Sequence, residues 1–163
     1  MLTYDYFVLY FITYAFLGWV WELVFIRLTE HRWHLHGFLT IPILPIYGFS
    51  AIGMILFIRP YVENPFLVFV ASVALVTVME LVTGFVLKTA FHIRLWDYEA
   101  WPYNFHGYVS LFSSLGFGVM GLFLLYVVQP WVAENITSLS TTAVFWLGTI
   151  LTIVFAIDFA NSL

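Results

Sequence analysis

The sequence predicts an all-α integral membrane protein with five transmembrane helices. The first helical hairpin (helices 1 and 2) recurs as a parallel repeat in helices 3 and 4, and a fifth helix follows. Three observations lead there. First, 63% of the 163 residues are hydrophobic and only 9% charged, against roughly 25% charged in a soluble domain. Mean hydropathy is +1.00, so lipid must be the solvent for most of the surface. Second, five stretches reach the roughly 20 apolar residues a span requires: about 4–26, 40–58, 65–88, 107–128 and 142–161. Third, "HGFLTIPILPIYG" (36–48) returns as "HGYVSLFSSLGFG" (106–118), His-Gly-aromatic at the front and aromatic-Gly at the back.

The first span opens on "MLTYDYFVLYF", which has an acid and no basic cluster before its apolar run, and reads as a membrane helix rather than a signal peptide. The second carries Pro42 and Pro45 near its start, where proline fits a first helical turn. The fourth follows His106-Gly107 and the fifth follows "QPWVAENITSLST" (129–141), read as a connection that holds the sequon Asn135-Ile136-Thr137. Glycines 48, 53, 84, 116, 118 and 121 lie within these spans, where small residues allow close helix approach. One membrane domain, 1–163, is expected.

The repeat extends beyond the His-Gly segments. A shift of 70 residues lays "RPYVEN" (59–64) on "QPWVAEN" (129–135) with one insertion, and "ELV" at 22–24 recurs at 80–82. "IDF" at 157–159 echoes "MEL" at 79–81, so the fifth helix resembles the start of a third unit. Repeats two helices apart share a topology, which makes the repeat parallel. Arg27, Arg32, Lys88 and Arg94 flank the first and third connections and Arg59 stands alone on the other side. The excess places those connections in the cytoplasm, the N-terminus outside and the C-terminus inside.

Glu22, Glu80 and Asp158 then fall in the last third of the odd helices, at similar depth, with His36 and His106 opening the even helices on the same side. Arg27, Lys88, Arg94, Asp97 and Asn104 share that level. A carboxylate within a bilayer must be paired, protonated or turned to a wet cavity. The expectation is a cytoplasm-facing polar vestibule: Glu22 and Glu80 at its base as a pseudo-symmetric pair, Asp158 completing the ring, Asp97 and Asn104 ordering the long loop above. Ion pairs of Glu22 with Arg27, and of Glu80 with Lys88 or Arg94, are the structural alternative to a bound ion, polar substrate or proton relay.

Several chemistries are excluded. The chain has no cysteine, hence no disulfide, thiolate ligand or thiol nucleophile. It has no basic tract for nucleic acid, no glycine-rich phosphate loop and no nucleophile elbow. In "EHRWHLH" (30–36), Glu30 and His34 form the one helical i, i+4 pair, so an interfacial loop is favoured over a metal site. No cofactor and no metal are expected.

Finally, "GWVWE" (18–22), "GFL" (37–39), "PIYGF" (45–49), "FHIRLWDY" (91–98), "NFHGYVSL" (104–111) and "DFANS" (158–162) occur in an order that resembles a family of small bacterial membrane proteins, the CmpB-like type IV ABC-transporter components. His36 stands where that family has arginine, and Ile41-Pro42 where it has Gly-Pro. The resemblance adds Tyr47, Trp96 and Tyr98 to the candidate residues. It implies a permease-like transport component of the bacterial inner membrane, acting on a small polar or cationic substrate as a homo-oligomer or with an ATPase subunit. Two other classes are weighed beside it. One is a membrane enzyme acting on lipid or a lipid-linked substrate, with paired carboxylates and His106 as acid and base. The other is a scaffold or regulator that transports nothing.

Overall fold

The computed structural model describes residues 3–31 and 38–162, apart from the side chains of Thr29 and Glu30. Among the described residues the regular structure is helical but for one two-stranded ribbon, and four helices are long and apolar enough to cross a membrane: Tyr4–Leu28, Pro65–Ala90, Leu111–Thr137 and Thr141–Ser162. The second expected span, 40–58, forms a shorter helix. The chain divides into two compact units, Met1–Phe49 with Trp131–Leu163, and Ser50–Pro130.

In the first unit, α1 (Tyr4–Glu30) carries Asp5 in its first turn and Arg27 in its last, each favourable to the helix dipole. It packs against the last helix of the chain, Thr141–Ser162. Gly148 of that helix lies against Asp5, and the Phe11 and Phe155 rings meet edge-on at 5.7 Å. The two helices therefore run parallel, with Asp5 level with Gly148.

The second expected span begins later than its apolar run. The helix α2 (Pro45–Gly53) starts at the second proline, continues as a five-residue π segment (Met54–Ile58) and ends in a three-residue 3-10 turn (Arg59–Tyr61). Residues 38–44 are not helical. The Leu44 amide donates to the Ala15 carbonyl at 3.0 Å, near the middle of the α1 span. Leu39 and Ile43 bury themselves with Ala15 against Ile12 and Phe155. A non-helical segment thus reaches mid-span, and helix 2 begins there rather than at residue 40.

In the second unit, α3 (Pro65–Ala90) is capped by the Asn64 side chain, which accepts from the Leu67 amide at 3.1 Å, with proline at its first position. Its partner α4 (Leu111–Phe123) opens on a capping box formed by Ser110 and Ser113. The pair is antiparallel: Gly118 meets Val73 and Phe69, Thr77 Oγ1 donates to Ser114 Oγ at 2.8 Å, and Gly84 meets Tyr108. Gly121 fits against Ser72 and Met54, and Gly53 against Leu75. Gly116, expected to pack, faces nothing within 4 Å.

Beyond α4 the chain again forms a five-residue π segment (Leu124–Val128) and continues as α5 (Gln129–Thr137) before α6 (Thr141–Ser162). Each π segment directly precedes a residue-proline pair, Arg59-Pro60 and Gln129-Pro130. Proline offers no N–H and crowds the carbonyl one turn back; the wider π turn, closed by the Arg59 and Gln129 amides on Met54 and Leu124, relieves that crowding. This corrects the expected connection at 129–141, because the helix runs through Pro130 and the sequon occupies its last turn. The two π segments share a core, with Met54, Ile58 and Leu125 buried around Val68 and Val76.

Candidate functional site

Three carboxylates in or beside the spans are the candidate groups, Glu22 and Asp158 in the first unit and Glu80 in the second, each with its own donors. Glu22, half-buried on α1, accepts from the Tyr47 hydroxyl at 3.1 Å. Tyr47 reaches it because Gly18, one turn earlier on α1, leaves room for the ring, which a Cβ there would penetrate. Gly48 does the same for Phe11, so helix 2 enters flush against α1 and directs its tyrosine along the α1 surface.

Asp158, only 9% exposed, accepts from the Thr40 amide at 2.9 Å and the Ile41 amide at 3.3 Å. These amides belong to the non-helical segment. At membrane depth every backbone donor needs a protein partner or a wet cavity, and Asp158 supplies the partner. Its expected place in a ring of acids at one level is corrected by the helix register. With Gly148 level with Asp5, Asp158 lies level with Ala15, and Glu22 lies about seven residues, roughly 10 Å, further along α1.

Glu80, on α3 and 4% exposed, accepts from the Tyr98 hydroxyl at 3.0 Å. Tyr98 comes from the long loop between α3 and α4, which folds back over the hairpin end. Within it, β1 (Asn104–Phe105) pairs antiparallel with β2 (Val109–Ser110). The Tyr98 amide donates to the Gly107 carbonyl at 3.0 Å. Trp96 Nε1 donates to the Tyr108 carbonyl at 2.8 Å, and both rings lie against Gly84, one turn beyond Glu80. Asn104 braces the turn: its Nδ2 donates to the Glu99 and Trp101 carbonyls and its Oδ1 accepts from the Gly107 amide. Asp97 accepts from the Glu99 amide at 2.8 Å and pairs with Arg94 at 2.9 Å.

Arg94 and Lys88, offered as partners for Glu80, make other contacts. Arg94 bridges Asp97 and Glu99 and donates to the His106 carbonyl at 3.2 Å. Lys88 Nζ stands 5.5 Å from the centre of the Tyr108 ring. The donors seen at Glu22 and Glu80 are tyrosine hydroxyls. Arg27 is exposed in the last turn of α1.

His106 does not open helix 4. It sits in the ribbon turn at φ 51, beside Gly107 at φ 70, exposed and edge-on to Phe105 at 4.7 Å; the helix starts at Leu111. His36 lies outside the described residues, as do Arg32, Trp33, His34 and Gly37. The sequence reading missed the part played by Gly18 beside Tyr47 and by the Thr40 and Ile41 amides. One signal was available for the tyrosines. A chain with five Lys and Arg but ten Tyr has more hydroxyls than cations to offer its buried acids.

A family model described as "Putative ABC-transporter type IV" matches residues 9–163. No curated protein and no solved structure matches the chain.

Proposed function

The chain belongs to that family of ABC-transporter-related membrane proteins, and from this premise we propose that it is a permease-like transport component with a cytoplasm-facing polar vestibule. Glu22 and Glu80 are its pseudo-symmetric acids, each tethered by a tyrosine hydroxyl, and they favour small polar or cationic cargo. Asp97 and Asn104 shape the loop that holds Tyr98 over Glu80. Arg94 clamps that loop, and Trp96 seats it on Gly84. Arg27 adds positive charge at the cytoplasmic end of α1. The chain is a single membrane domain of the bacterial inner membrane, N-terminus outside and C-terminus inside. It works as a homo-oligomer or with an ATPase subunit, because so few helices enclose little pore of their own.

One observation carries this reading: helices 2 and 4 begin within the spans, behind non-helical segments. The Leu44 amide meets Ala15 near mid-span. In the other hairpin, the Thr77–Ser114 contact sets Leu111 level with Glu80, about ten residues or roughly 15 Å short of the end of α3. Non-helical backbone at membrane depth is tolerated when protein partners satisfy it or a water-filled path meets it, and transporters build their sites on such interrupted helices. The carboxylates beside these interruptions supply the charge selectivity.

Membrane vesicles from cells producing the chain, in which any partner ATPase is present, test the proposal. Uptake of a panel of small cations should exceed that of vesicles lacking the chain, and should fall to that baseline in Glu22→Gln and Glu80→Gln variants that remain folded. Folded variants with undiminished uptake overturn it.

A further inference from the structure

The loop between α3 and α4 is read from sequence as a cytoplasmic connection. We infer instead that its ribbon is inserted into the bilayer, with Tyr103, Phe105, Leu111 and Phe112 forming a lipid-facing wedge that reaches from the headgroup boundary into the acyl chains. The observations are independent of any transport role.

The first is depth. The Leu111 amide donates to the Tyr103 carbonyl at 3.1 Å, and the α3–α4 register holds Leu111 level with Glu80, well inside the Pro65–Ala90 span. Tyr103 is therefore drawn down along α4 rather than held above it. Its ring continues the surface of the spanning helix, 6.5 Å from that of Phe112. The charged cluster of Arg94, Asp97 and Glu99 gathers around Gly107, which neighbours Tyr108 at the level of Gly84, nearer the end of α3. Charge at headgroup level with aromatic and aliphatic groups below it is the arrangement that membrane interfaces select.

The second is backbone satisfaction. A loop in water can leave its peptide groups to solvent, whereas backbone set down among acyl chains needs protein partners for them. Here Asn104 takes two carbonyls and one amide, Arg94 the His106 carbonyl and Trp96 the Tyr108 carbonyl. The Tyr98, Trp101, Tyr108 and Leu111 amides all bond within the loop. The third is exposure. Tyr103 is 78% exposed and Phe105 56%, an apolar display that would be costly in water and is stabilising in lipid. Tyr103 adopts φ 54, an uncommon conformation for a tyrosine, and it is part of the turn that presents the ring outward.

The absence of native cysteine makes a clean test available. Nitroxide labels are attached at Tyr103→Cys, at Phe105→Cys, and at Glu99→Cys as the charged-side control. The full chain is then reconstituted in vesicles of phosphatidylcholine and phosphatidylglycerol, and collision with oxygen is compared with collision with a water-soluble nickel chelate. Labels at 103 and 105 should favour oxygen severalfold, and the label at 99 should favour nickel. A nickel preference at 103 and 105 would place the ribbon in water. An immobilised label reached by neither reagent would place it against a second copy of the chain. Either result overturns the wedge. If Tyr103→Cys fails to fold because of its backbone conformation, Phe105→Cys decides alone.

Discussion

Removing the Asp158 carboxylate should loosen the non-helical segment before it affects anything else. Asp158→Ala leaves the Thr40 and Ile41 amides, now 2.9 and 3.3 Å from its Oδ2, without an acceptor. An orphaned buried donor costs about 1–3 kcal/mol, so two amount to about 2–6 kcal/mol. Asp158→Asn keeps an oxygen in place and loses only the charge assistance, which roughly doubles such a bond; the expected loss is about 1–2 kcal/mol. The order wild type, Asn, Ala should therefore appear in thermal unfolding in detergent micelles. Hydrogen exchange should accelerate first at residues 38–44. If Ala and wild type unfold together and exchange at 40–41 is unchanged, the carboxylate does not cap the segment and the reasoning fails.

Other outcomes follow from the same contacts. Tyr98→Phe removes a hydroxyl from a nearly inaccessible carboxylate and should destabilise by about 1.5–3 kcal/mol, more than Tyr47→Phe because Glu22 is less enclosed; chemical unfolding measures both. Gly18→Leu should displace the Tyr47 ring at about 1–3 kcal/mol, and combined with Tyr47→Phe should cost less than the two changes summed, as a double-mutant cycle would reveal. Gly107→Ala forces a side chain into the left-handed region, about 1–2 kcal/mol, and onto Arg94; loop proteolysis should rise. Arg94→Gln, by contrast, breaks pairs whose side chains are 28%, 47% and 65% exposed, and should shift the unfolding midpoint little, since such pairs contribute about 0–1 kcal/mol.

The long helices were legible because lipid imposes one rule, some 20 apolar residues in a row, and α3 and α6 obey it with clear caps. Two errors arose where proline has two meanings. The stretch 129–141 is expected as a connection, yet a π turn ahead of Pro130 lets the helix continue through it. Pro42 was accepted in a first turn, yet the helix starts at Pro45 because the residues before it find acceptors on Ala15 and Asp158. The start at Pro45 is decided by partners more than 25 residues away in the chain, which local sequence does not show. The buried acids were legible as residues that need partners, but not which partners. Tyr98 reaches Glu80 only because the loop reverses on Asn104 and Gly107, and spacing along the chain carries no trace of that reversal. The shared depth of all three acids was an extrapolation from the repeat. The α1–α6 register separates Asp158 from Glu22 by two helical turns and turns Asp158 from a candidate ligand into a backbone cap.

The account stands most directly on water reaching Glu22 and Glu80 from one side of the membrane. In sealed vesicles of known orientation, a membrane-impermeant carbodiimide with an amine, followed by peptide mass spectrometry, should modify both glutamates from the cytoplasmic face and spare Asp158. Labelling of neither, or of the two from opposite faces, would contradict it.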